Sequence, residues 1–295
     1  MKTERNPLPF LILIAIILWA VVIILKHPEV IKTFYPENKA EKPIRKQETA
    51  TSQVPPAGPT LAKLNKIPPP PLPRPGKPQV AIIIDDFGYN FDEFNSLHQL
   101  YIPVTISVLP NLPSSRRTAD FARAAGYEVL LHLPLAPREK KILEKGTIAF
   151  GMDKEAIRQQ IETDLASVGP VSGVNNHMGS SATADTVLME MVLSDIKSRD
   201  LFFVDSVTSQ KTVAFKVGRE LGIPVARRDV FLDNNPDREY IKGQIRQLIR
   251  KAQINGRAIG IGHPHPETFI AIKEMLPEME SAGISLVTIS KMLAR

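Results

Sequence analysis

Asp85 and Asp86 stand side by side after the apolar run at residues 80–84, and His132 and His177 follow similar runs further along the 295-residue chain. Carboxylates at the end of a buried strand are costly unless they are paired, hydrogen-bonded or bound to a metal. A glycosidase pair needs its carboxyls about 5–9.5 Å apart across a sugar bond, so adjacent positions suit that chemistry poorly. One base and one metal ligand suit them better. The chain has no cysteine. Disulfides and thiolate zinc sites are thereby excluded, and any metal must be held by carboxylate, imidazole or carbonyl oxygen. A single strand-end histidine is more often satisfied by a carbonyl than by a metal, so the metal reading rests on Asp85, Asp86, His132 and His177 as a group.

These residues need a scaffold that brings them together. From Gln79 onward, short β-branched runs alternate with amphipathic stretches of helical period, the pattern of repeated βα units. Strands are expected at residues 80–84, 104–109, 128–131, 173–176, 201–204, 225–232, 258–261 and 285–289. Helices are expected at 114–125, 154–168, 186–199, 212–221, 239–255 and 267–282, several closing at a glycine. The fold class is α/β, a distorted (β/α) barrel of about seven strands over residues 79–295, although an open doubly wound sheet has the same local pattern. Asp85, Asp86, His132, Asn175, Asn176, His177, Asp205, Asp233 and His263 each fall at or just after a strand's C-terminal end. In parallel βα architectures the loops at those ends build the site.

The first 78 residues read differently. Lys2 and Arg5 precede an uncharged apolar run over residues 10–25, a little short of the roughly 20 residues of an ideal span. Residues 1–27 are therefore expected to be a single membrane anchor, and the charge on its N-terminal side keeps that end cytoplasmic. No small-residue cleavage pattern follows the run, where Leu25-Lys26-His27 stands, so the anchor is expected to stay uncleaved. Residues 28–78 are expected to be a spacer ending in a proline run, extended as polyproline II. The domain would then lie outside the inner (cytoplasmic) membrane, in the periplasm. The net charge of +6 is spread along the chain with no basic block beside aromatic platforms, which argues against nucleic acid as a partner.

Ile83-Ile84-Asp85-Asp86-Phe87-Gly88, Leu131-His132-Leu133-Pro134-Leu135, Asn175-Asn176-His177-Met178-Gly179-Ser180 and Gly260-Ile261-Gly262-His263 resemble the divergent polysaccharide deacetylases. Phe203-Val204-Asp205-Ser206 and Phe231-Leu232-Asp233-Asn234 extend the resemblance, which covers nearly all of residues 79–295. It implies a barrel like that of chitin, chitooligosaccharide and peptidoglycan deacetylases, which hydrolyse the N-acetyl group of an amino sugar at a divalent metal. By that resemblance Asp85 is the base, Asp86 a metal ligand beside His132 and His177, and His263 the acid that protonates the leaving amine. Asn176, Asp205 and Asp233 would orient the site or meet substrate.

The parent enzymes carry two ligand histidines four residues apart. Here Ala136 stands at that spacing from His132, and His177 is the expected replacement. Zinc is the expected ion, and an amino-sugar polysaccharide or oligosaccharide of the cell envelope the expected substrate. The alternative is a non-catalytic envelope module that binds glycan or protein on the same barrel. The broken histidine motif supports that alternative; both aspartates and three strand-end histidines support catalysis. Aromatics are 6% of the chain, which leaves Tyr89, Phe91, Phe150 and Tyr240 as candidate sugar platforms.

Overall fold

The computed structural model describes residues 76–293 except Gln99, Tyr101 and residues 139–142. The anchor expected over residues 1–27, and the spacer over 28–78 save its last three residues, lie outside the described residues. Among the described residues no helix is long and apolar enough to cross a membrane.

Nine strands form one sheet: β1 (Gln79–Phe87), β2 (Thr105–Val108), β3 (Glu128–Leu135), β4 (Gly173–Met178), β5 (Phe202–Asp205), β6 (Val225–Arg227), β7 (Val230–Phe231), β8 (Arg257–Gly262) and β9 (Ser285–Leu286). Their order is β6-β5-β4-β3-β2-β1-β8-β7, with β9 paired to β1, and every pairing is parallel. The helices are α1 (Asp92–His98), α2 (Ser115–Ala124), α3 (Lys154–Val168), α4 (Thr186–Ser198), α5 (Ala214–Leu221), α6 (Arg238–Asn255), α7 (Pro266–Ser281) and α8 (Ile289–Leu293). Asp153, Asp185 and Asp237 start α3, α4 and α6, each accepting a backbone N–H at 2.8 Å. Gly222 and Gly256 end α5 and α6 in the left-handed conformation, which side chains with a Cβ adopt reluctantly.

The sheet curls into a half-barrel, and its ladder is open where β6 and β7 form the two ends. These ends are consecutive in the chain, joined only by Arg228 and Asp229. Arg228 N donates to Asp205 O of β5 and Asp229 N to Ile259 O of β8, both at 2.9 Å. Three Cα steps span about 10 Å at most, so the sheet must bend until its ends nearly meet. Two expectations are corrected here. The run at 225–232 is not one strand but two, because its halves serve opposite ends of the sheet, and the barrel of about seven strands is a curled nine-stranded sheet with an open seam.

Strand parity sorts the core into two layers. Val80, Ile82 and Ile84 of β1, with Val129, Leu131 and Leu133 of β3, face the helices. Ala81, Ile83, Leu130, Val204, Ile259 and Ile261 form a second cluster inside the curl, with Ile289 and Met292 of α8 packed into it. Burial on both faces explains why these strands read as unbroken apolar runs. The inner layer is tight: a Cβ on Gly173 would lie 2.4 Å from the Phe202 ring. The run at 285–289, expected as a strand, pairs only through Ser285 and Leu286. It then turns into α8, because Glu128 of β3 accepts the N–H groups of Ile289 and Ser290 at 2.9 and 3.1 Å.

One buried carboxyl outside the inner layer ties loops to α3. Asp164 Oδ1 accepts from Gln160 Nε2 and Asn111 Nδ2, both at 2.8 Å, while its Oδ2 is buried without a partner. Burial pushes this carboxyl up to about 7, against the two hydrogen bonds. A raised acid binds its proton more tightly folded than unfolded, so it costs stability as pH rises from about 4 through about 7. Asp164→Asn removes that charge, and is expected to be more stable than the parent at pH 8 by on the order of 2–4 kcal/mol. The gap should close at pH 4 in chemical denaturation; an equal gap at both pH values would refute the assignment.

Candidate metal centre

The inner rows of the sheet lead to one mouth. Asp85 continues the row of Ala81 and Ile83, His132 that of Leu130, His263 that of Ile261, and Asn175 and His177 share a row on β4. Asp86 has the wrong parity for that mouth. A β-bulge corrects it: Ile84 pairs with Ile106 but Phe87 with Val108, so β1 carries one residue more than β2 across this step. Asp86 sits at φ 61°, the left-handed region that aspartate tolerates better than most residues. Both adjacent carboxylates therefore reach the mouth.

Three atoms converge there. Asp86 Oδ1 lies 3.1 Å from His132 Nε2 and 3.0 Å from His177 Nδ1, and the two nitrogens are 3.2 Å apart. Asp86 Oδ1 is buried and its contacts lack hydrogen-bond alignment. In a tetrahedral zinc site with bonds of about 2.0–2.1 Å, ligand atoms stand about 3.3 Å from one another. The triangle fits that spacing, and Asp86, His132 and His177 form a group able to hold a metal ion. Asp85 flanks it, with Oδ2 3.7 Å from His132 Nε2. His263 flanks it from just beyond the end of β8, with Nε2 3.6 Å from Asp86 Oδ2.

Supporting bonds orient these groups. Asn175 Nδ2 donates to Asp85 Oδ1 at 2.8 Å, and Asn175 Oδ1 meets His132 Nδ1 at 2.9 Å and accepts from Ser107 Oγ. Asp233 Oδ1 holds His263 Nδ1 at 3.0 Å, and Asp233 Oδ2 accepts from His263 N and Thr268 Oγ1 at 2.6 and 2.7 Å. His265 lies beside His263, and Asp233, His263 and His265 make a second group with metal-ligand spacing. Both oxygens of Asp233 are already engaged there. Asn176 and Asp205 have the opposite parity and shape the loop after β5. Asn176 Oδ1 accepts Ser206 N, and Asp205 accepts Val207 N and Thr212 Oγ1, each at 2.9 Å.

Sequence reasoning placed Asn175 at a strand end without giving it a role, and passed over Ser107 and Glu144. Counting by two from His177 reaches Asn175. Ser107, an inner-row residue of β2, and Glu144, in a loop with no period, carry no comparable signal. Glu144 Oε1 lies 3.5 Å from His177 Nε2 and accepts from Tyr89 Oη at 3.2 Å.

The charges are strongly coupled. Burial pushes the Asp85 carboxyl up, partly offset by His132. Burial also works against the Asp86 carboxylate, but His132 and His177 beside it hold it far below the usual range. For His132, burial alone would push the imidazole down; Asp85 and Asp86 outweigh it and raise it to about 9. Burial likewise opposes His263, and the Asp233 bond raises it on balance. Burial and Glu144 push Tyr89 up to about 12.

Fold and site together define a deacetylase-like α/β half-barrel with a candidate metal centre at its strand ends. The chain belongs to the divergent polysaccharide deacetylase family, which matches residues 82–293. It is 37% identical over 215 residues to YibQ, an uncharacterised protein of Escherichia coli K12, covering 73% of this chain and 67% of YibQ. An uncharacterised Haemophilus influenzae protein is 33% identical over 195 residues, 66% of this chain and 70% of that one. The crystal structure of an uncharacterised protein from Agrobacterium tumefaciens C58 superposes with a TM-score of 0.70 at 26% identity, over 76% of this chain and 92% of that one.

With His132 raised to about 9, a metal entering the site at neutral pH must displace its proton. Affinity should therefore rise about tenfold per pH unit from pH 6.5 and level off near pH 9. Chelator competition across that range measures it, and a flat profile would remove His132 from the ligand set.

Proposed function

We propose that the domain is a metal-dependent hydrolase that removes N-acetyl groups from an amino-sugar polymer of the cell envelope. The observation that carries this reading is the pair of proton-transfer groups flanking the three-atom cluster, Asp85 beside His132 and His263 beside Asp86. Asp86, His132 and His177 would hold a divalent ion, zinc first, which when bound activates water and polarises a carbonyl oxygen.

The chain's own groups supply the rest. Asp85 Oδ1 is tied to Asn175, so Oδ2 is the oxygen left facing the cluster, and its raised pKa suits it to take a proton from the attacking water. His263 Nδ1 is tied to Asp233, which leaves Nε2 to hand a proton to the departing amine nitrogen. The two transfers occur at separate atoms, one on β1 and one just past β8, so each group can be tuned by its own partner. Tyr89 and Phe150, 51% and 54% exposed, are available as sugar platforms, Phe150 on the same segment as Glu144. In this reading residues 1–27 anchor the chain in the inner membrane and residues 28–78 hold the domain off it in the periplasm.

The non-catalytic alternative draws its support from Ala136, which offers no ligand atom where the parent enzymes carry histidine. His177 weakens that support by bringing Nδ1 to 3.2 Å from His132 Nε2. The test is acetate release from N-acetylglucosamine oligomers and polymer by the zinc-loaded full chain. Asp85→Asn and His263→Gln are each expected to lower kcat by about 10²–10⁴-fold while keeping the metal content of the parent. A fully loaded protein that binds these glycans without releasing acetate would instead establish the binding module.

A further inference from the structure

Each histidine at the mouth has one nitrogen aimed at the cluster and another that needs a partner to fix the ring. His132 has Asn175 on its far nitrogen and His263 has Asp233. His177 does not: its Nε2 is buried without a hydrogen bond. The carboxylate facing it is Glu144, whose Oε1 stands 3.5 Å away, just beyond hydrogen-bond range.

Glu144 is held there by its own segment. Ile148 pairs with the extension of β3, its N donating to Pro134 O at 2.9 Å and its O accepting Ala136 N at 3.0 Å. Four residues earlier the chain turns tightly, with Thr147 N and Oγ1 both bonded to Glu144 O, at 3.1 and 2.8 Å. Gly146 packs that turn onto α3, where a Cβ would meet Gln160 and Asp164 at 2.9 and 3.0 Å. The turn is thus fixed on two sides, and its acidic side chain faces His177 and accepts from Tyr89 Oη at 3.2 Å.

We infer that Glu144 is the positioning residue for His177, accepting Nε2–H when Nδ1 ligates the metal. The inference rests on the metal reading of the site. An imidazole that ligates through Nδ1 carries its proton on Nε2, and a carboxylate there fixes the ring and raises the basicity of the ligating nitrogen. A side-chain movement of about half an ångström brings the contact into hydrogen-bond range. Glu144 thereby couples the turn at residues 144–147 to occupancy of the centre, because the carboxylate gains His177 as a second partner only when the ring is set for the ion.

Zinc affinity of the full chain, by competition with a chromophoric chelator, tests this. Glu144→Ala is expected to raise Kd by about 10–100-fold, and Glu144→Gln, which keeps an acceptor without charge, by less. The Nε2 proton of His177 in the zinc-loaded protein should be slow to exchange with solvent in the parent and fast in Glu144→Ala. Thermal unfolding of the metal-free variants should match the parent, which a purely structural role would not allow. If Glu144→Ala binds zinc within about twofold of the parent while His177→Ala does not bind it, the inference is wrong and the metal reading stands. A parent chain that takes up no zinc would overturn both.

Discussion

Two neighbouring residues on a regular strand face opposite ways, yet this site needs both carboxylates of Asp85-Asp86 at one mouth. The extra residue on β1 resolves the conflict and leaves Asp86 at φ 61°. A left-handed aspartate costs roughly 1–2 kcal/mol, and the surrounding structure must hold it in place. β1 is suited to that: it lies between β2 and β8, and its residues from Val80 to Asp85 are buried. Beyond the bulge Leu109 N bonds Phe87 O at 2.8 Å and Ser114 N bonds Gly88 O at 2.9 Å, which ties the exit of β1 to the start of α2. A regular strand here would turn Asp86 into the helix-facing layer and leave two histidines without their carboxylate.

The second requirement is that buried polar atoms be paired, and one amide meets most of it. Asn175 is fully buried and bonds Asp85, His132, Ser107 and, at 3.3 Å, Ser206. Its orientation follows from its neighbours: a carboxylate oxygen accepts, so Nδ2 must face Asp85, and Oδ1 is then the atom at His132 Nδ1. An oxygen there calls for a proton on Nδ1, which leaves Nε2 as the nitrogen with a lone pair for a metal. Changing Asn175 would therefore alter Asp85 and His132, the proposed base and a proposed ligand, together and by different routes.

The order of strands and helices was legible because layered α/β packing buries both faces of each strand, and the apolar runs mark them. The same burial hid parity. With no alternation of polar and apolar residues, Asn175 and Asn176 look alike in sequence, although one faces the mouth and the other the loop after β5. The bulge was also invisible, since an aspartate does not announce a positive φ. The seam between β6 and β7 was hidden for another reason: which end of a sheet a segment joins is set by long-range pairing, and the local run at 225–232 carries no mark of the change. Glu144 lies in an aperiodic loop, and only the return of Ile148 to β3 places it.

In the proposed metal site His177 takes the part of a second histidine four residues from His132, so that sheet pairing does the work of a local motif. β3 and β4 pair with His132 opposite Asn175 and Pro134 opposite His177, so the two histidines sit diagonally on one inner face. Pro134 is tolerated because β3 has run past the last residue of β2 there, where its missing N–H leaves no ladder bond unmade. A slip of one residue between β3 and β4 would turn His177 into the outer layer and bring Asn176 or Met178 to the mouth. The fit of Gly173 against Phe202 holds β4 in register with β5, since a side chain at that place would strike the ring. The place of His177, the second histidine of the proposed ligand set, is therefore set by the pairing of β4 with β3 rather than by a spacing along the chain.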